Sequence, residues 1–89
     1  MTYWELDKLV GEFGLEKSDY RNRLMYSGCP IGNYHKVTDN VIKIGFLQSY
    51  IDTMYVKTAR KEIMRQIERV KKAKLENKLK QLKRGFLNV

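Results

Sequence analysis

Cysteine and proline each occur once in these 89 residues. Cys29 has no second thiol to pair with inside the chain, so an internal disulfide is excluded and a reducing cytoplasm is the expected setting, with a nucleus equally compatible. No apolar run approaches the roughly 20 residues of a membrane span. The start, "MTYWELDKLV", lacks the basic segment and apolar block of a secretory signal. There is no Gly-rich phosphate loop of the G-x-x-x-x-G-K type, and no paired carboxylates sit in an apolar setting. With a lone histidine, His35, beside the lone cysteine, the chain falls short of the about four ligands of a zinc site, so no metal or other cofactor is expected. A nucleophilic pair of Cys29 and His35 would still need an oxyanion hole and a pocket, for which so short a chain has little room. The expectation is a protein that is not an enzyme.

What the chain has in excess is positive charge, and it is unevenly placed. Residues 1–56 carry six Lys and Arg against seven Asp and Glu, a net of −1. Residues 57–89 carry twelve against three, a net of +9. The division suggests a near-neutral head, residues 1–56, and a basic amphipathic arm, residues 57–89, in one folding unit. Such asymmetry points to a polyanionic partner. The 43% hydrophobic content argues against wholesale disorder, although a chain of this size buries a limited core and is only marginally stable alone, which leaves room for a partner or an oligomer.

Thr2 followed by Glu5 forms a capping box, Leu6, Leu9, Val10 and Phe13 make one apolar stripe, and Gly14 suits a left-handed helix end; together they predict a helix over about 3–13. Ser18 or Asp19 caps a second short helix through Tyr20, Leu24 and Met25, stopped at Gly28. "SGCPIGNYHKV" reads as a loop on its Gly, Pro and Asn content. From Thr38–Asn40 a long helical segment is expected, its first part, 41–56, apolar on most sides and therefore buried. A β-hairpin of "YHKV" and "VIKI" around "TDN" competes with this reading. It is set second because a lone two-stranded hairpin is marginal and no third strand is evident. The predicted class is all-α: a small helical head, two short helices and a buried one, followed by a long basic helix.

Val56, Ala59, Ile63, Ile67 and Val70 share one helix face. Leu75, Leu79, Leu82 and Phe86 form a second stripe. The five-residue step between them turns the stripe by about 140°, so either the helix bends near 71–74 or its two faces meet different partners, the second being a partner protein or another subunit of a homo-oligomer. Among the cations, Lys57, Arg60, Lys61, Arg65, Arg69, Lys71, Lys72 and Lys74 form the densest run and are the candidate phosphate contacts, with DNA and RNA undistinguished. A membrane-surface helix would want Trp or Phe opposite the charge, and no aromatic occurs between 57 and 85. Helix 1, Gly14 and "KSDYRNRL" have the outline of a helix-turn-helix, with Ser18, Arg21, Asn22 and Arg23 at the groove, but too few apolar anchors seat the second helix. Arg21 and Arg23 beside Tyr20 and Tyr26 have the composition for stacking on unpaired bases, against the plainer role of small-core aromatics. The expected function is a small non-enzymatic protein that binds nucleic acid, DNA or RNA, through a basic helix. The alternative is a small interaction module, an inhibitor or adaptor, whose apolar seams dock on another protein and whose charges steer an acidic partner.

Overall fold

The structure, a computed structural model, describes residues 1–87, with side chains described through residue 79. It is α+β. Helix α1 (Tyr3–Phe13) is followed by strands β1 (Glu16–Ser18), β2 (Arg23–Tyr26), β3 (Cys29–Thr38), β4 (Val41–Phe46) and β5 (Asp52–Thr53), and then by helix α2 (Val56–Leu87). A single 3-10 turn, Tyr20–Asn22, joins β1 to β2. The five strands form one antiparallel sheet in which each pairs with its neighbours in sequence.

The expected all-α class is therefore overturned. The predicted second helix is the 3-10 turn and β2, its candidate cap Ser18 being the last residue of β1. Arg23–Tyr26 pairs with β1 on one side and β3 on the other, so its backbone donors and acceptors are met by the sheet instead of by a helix. The predicted loop from Ser27 to Val37 is mostly β3, and the predicted buried helix over 41–56 is β4, a loop and β5. Within β4 burial alternates strictly: Ile42, Ile44 and Phe46 are buried and Val41, Lys43 and Gly45 less so. That is the period of a strand with one face on the core. The competing hairpin is the one that forms, with Thr38 opposite Val41 and Tyr34 opposite Ile44. The objection that a lone hairpin is marginal does not apply, because β2 and β5 flank it and helices cover one face.

Local chemistry explains the turns. The side chain of Thr2 accepts from Glu5 N–H and that of Glu5 from Thr2 N–H, so the capping box at α1 is complete. Gly14 ends the helix at φ 65°. Ser27 and Gly28, at φ 51° and 81°, make the two-residue turn between paired Tyr26 and Cys29, the conformation whose twist matches a hairpin. Gly32 marks where adjacent strands approach too closely for a side chain, and Gly45 leaves room for the Asp52 carboxylate. A Cβ on Gly32 would lie 2.6 Å from the Gly45 carbonyl oxygen, and one on Gly45 would lie 2.5 Å from an Asp52 carboxylate oxygen.

One hydrophobic cluster holds the molecule together. Leu6 and Leu9 of α1, Leu24 of β2, Ile31 of β3, Ile42, Ile44 and Phe46 of β4, and Ala59 and Ile63 of α2 are all buried in it. Each large aliphatic side chain among them contributes about 1.5–3 kcal/mol of burial. The core thus takes in α2 as far as Ile67 and Val70, which pack against it half-buried. Helix α2 continues without a break through 71–74, where a bend was one of two expectations. Among the described residues no helix is long and apolar enough to cross a membrane.

Candidate nucleic-acid interface

Helix α2 is seated by the stripe the sequence shows, Val56, Ala59, Ile63, Ile67 and Val70, and by two buried polar side chains on its flank. Gln66 donates to the Leu47 carbonyl at 2.9 Å and to the Glu62 carboxylate at 3.2 Å. Arg65 lies 3.7 Å from the other Glu62 oxygen, so the one buried carboxylate of the helix has its countercharge one turn away. From Lys71 to Leu79 every side chain is exposed. The molecule is accordingly elongated, 60 × 24 × 22 Å.

This seating sorts the eight candidate cations into two groups. Lys57, Lys61, Lys71 and Lys72 are exposed and form no ion pair among the described residues, Lys71 standing at the rim of a groove beside Glu12 and Tyr26. The other four have partners: Arg60, Arg69 and Lys74 reach the body of the protein, whereas Arg65, its side chain 71% exposed, pairs within α2 itself. Arg60 bonds to Glu12 of α1 at 2.6 Å, and Arg65 sits beside Glu62. Arg69 donates to the Gln48 side-chain oxygen, and Lys74 donates to the carbonyl and hydroxyl oxygens of Ser27 at 2.8 and 2.6 Å. The spacing of four carries 57, 61, 65 and 69 from the solvent side round toward the β4–β5 loop, and 72 returns to the solvent side.

Leu75 and Leu79 are 60% and 51% exposed. By helical rotation they fall on the side away from the core-packing stripe. Leu82 and Phe86, the rest of that stripe, lie outside the described side chains.

The helix-turn-helix outline does not survive: Ser18 is on β1, Arg21 and Asn22 are in the 3-10 turn at φ 55° and 50°, and Arg23 begins β2. Those residues instead form a knuckle on the strand connection. The guanidinium groups of Arg21 and Arg23 each lie 5.3 Å from the centre of the Tyr20 ring, and Asn33 donates to the Arg21 carbonyl at 2.8 Å. Tyr20 is 61% exposed, but its π-surface already serves two cations. Cys29 and His35 both lie on β3, six residues apart, which at about 3.3 Å per residue separates them by about 20 Å. They do not form a nucleophilic pair. Among the described residues no three His, Cys, Asp or Glu side chains gather as a metal site. Lys17, hydrogen-bonded to Asp7, has its pKa raised above the ordinary lysine value by that bond.

One feature escaped the sequence. A cleft of about 590 Å³ opens where α2 passes the β2–β3 turn and the β4–β5 loop. Its α2 wall is Arg69, Val70, Ala73, Lys74 and Asn77, and its sheet wall includes Phe46, Leu47, Gln48 and Tyr50. The helical reading of 41–56 puts Gln48 and Tyr50 on a buried helix instead. The signal against it is Ser49 and the polar Gln48 interrupting an otherwise apolar run.

No family model matches the chain, and no characterised protein or solved structure resembles it at a significant level.

Proposed function

We propose that this protein binds nucleic acid by laying the solvent side of α2 along a phosphate backbone. The observation that carries the reading is the set Lys57, Lys61, Lys71 and Lys72, exposed and without ion pairs among the described residues, on a helix anchored by its opposite side. From 57 to 72 the helix rises about 22 Å, enough to pass several phosphates. Glu68 is the one exposed carboxylate on that stretch, whereas a merely solubilising face mixes both signs. Contacts of this kind give affinity and position with little sequence information.

Fluorescence anisotropy with labelled duplex DNA, single-stranded DNA and RNA over a range of salt tests it. Affinity should fall steeply with salt. Changing Lys57, Lys61, Lys71 and Lys72 together to Gln should flatten the log–log slope by about 0.7–0.9 for each phosphate that is no longer neutralised. Failure of all three nucleic acids to bind more tightly than about 100 μM, the weak end of non-specific binding, would end the proposal.

A second reading rests on Leu75 and Leu79. Two exposed leucines one turn apart on a projecting helix are suited to another helix, either from a second copy of the chain or from a partner protein. By helical rotation the two leucines share the outward side with Lys57, Lys61 and Lys72, so a partner seated on them competes with phosphate for the outer part of that side.

A further inference from the structure

We infer that the cleft between α2 and the two sheet turns accepts one unpaired nucleotide of a single strand, its base against Tyr50 and its flanking phosphates on Arg69 and Lys74. This rests on the nucleic-acid reading of α2 and adds to it a site for single strands. The first support is charge. Arg69 and Lys74 are the two charged residues lining the cleft, and no carboxylate lines it. Their partners are neutral, the Gln48 amide oxygen and the Ser27 carbonyl and hydroxyl, so both cations are hydrogen-bonded without being neutralised. An anion arriving there exchanges neutral acceptors for charged ones, which make the stronger bonds.

Shape supports the same occupant. Arg69 and Lys74 are five residues apart on α2, a rise of about 7.5 Å, and project to opposite sides of the Val70–Ala73 surface. One reaches the β4–β5 loop and the other the β2–β3 turn, so they stand at two ends of the cleft and not at one point. A chain with a charge on either side of a flat apolar group fits that arrangement. The cleft volume lies within the range of small-ligand sites.

Tyr50 supplies the flat surface. It is 91% exposed and held at φ 57°, with Gln48 before it at φ 70°. A bulky residue in the left-handed region is a costly way to build a loop, and the result here is an aromatic ring standing clear of the core. Unlike Tyr20, it has no cation over its faces among the described residues. Unpaired bases stack on such rings, whereas duplex bases are already stacked on one another. An acidic peptide would use the two cations and leave the ring idle.

The test compares labelled oligothymidylate with a labelled DNA duplex at one salt concentration, for wild type, Tyr50→Ala, Tyr50→Phe and the four-lysine Gln variant. Tyr50 is outside the core, so the fold of each variant is verified by its melting curve. The inference requires Tyr50→Ala to weaken oligothymidylate binding about tenfold, Tyr50→Phe to retain it, and duplex binding to be unchanged in both. It is overturned if Tyr50→Ala binds oligothymidylate as wild type does, or weakens duplex and single strand alike. In either case, loss of binding by the four-lysine variant leaves the helix reading standing. Absence of any binding by wild type removes both.

Discussion

The two halves of α2 share a composition and a conformation but not an environment. Through Val70 the helix is a structural member: Ala59 and Ile63 are fully buried, and Ile67 and Val70 close the core. Beyond it, from Lys71 to Leu79, all side chains are exposed, and the Lys74 bonds to Ser27 are the hydrogen bonds that tie this half back to the sheet. The difference is a matter of angle. The apolar residues of the inner half point at the sheet, and the five-residue step from Val70 to Leu75 rotates the next ones away from it. Helix propensity alone would not distinguish the halves; the phase of the apolar stripe does.

The sharpest way to break the comparison is to delete apolar volume on each side of that step. Ile63→Ala should destabilise the protein by about 2–5 kcal/mol, through reduced burial and the cavity left behind. Leu79→Ala should stay within about 0.5 kcal/mol in the monomer, because its environment hardly changes on folding. Urea unfolding of the two variants at low protein concentration checks this, and equal losses would mean that the outer half is part of the core.

A smaller effect is expected in solution mass. If Leu75 and Leu79 meet a second copy, changing both to Asp should lower the subunit count seen by light scattering while the melting temperature of the head is retained. A wild type that is monomeric at high concentration would leave the stripe to a different partner. The smallest effect separates the lysines. Lys57 and Lys61 on the inner half, and Lys71 and Lys72 on the outer, should each reduce the salt slope by similar amounts when changed to Gln, about one unit or less apiece. A loss confined to one pair would place the phosphate track on that half alone.

How far the sequence revealed the molecule follows from where each signal lies. Helix α1 was legible to the residue because its capping box, stripe and Gly14 are all local. The core-facing stripe of the inner half of α2 was legible for the same reason, but its start at Val56 was not, because the expected helix ran on from Thr38–Asn40. The sheet was not. Ile42, Ile44 and Phe46 do alternate, but Val41, Leu47, Tyr50 and Ile51 fill the gaps, so the stretch reads as apolar all round. Leu24 and Tyr26 likewise lie in a span short enough to satisfy either period, and β1, "EKS", carries no apolar signal at all. The strands that make the hairpin stable were the ones hardest to see. The basic helix was readable as a charge run, yet which cations face outward depends on what lies beneath. The cleft was out of reach because it joins α2 to two turns that a helical reading places elsewhere.

The strand order has a consequence for how the chain reaches this structure. Because every strand pairs with its sequence neighbour, the sheet is assembled entirely from short loop closures, the kind that form early and fast. The inner half of α2 is different: Ala59 and Ile63 must return to a core whose other side is furnished by Leu6 and Leu9, half a hundred residues earlier. During synthesis, α1 and the whole meander leave the ribosome before that helix is complete. Ile42, Ile44 and Phe46 therefore wait uncovered until it arrives, which makes docking of α2 the committing step and the interval before it the period of greatest exposure to aggregation.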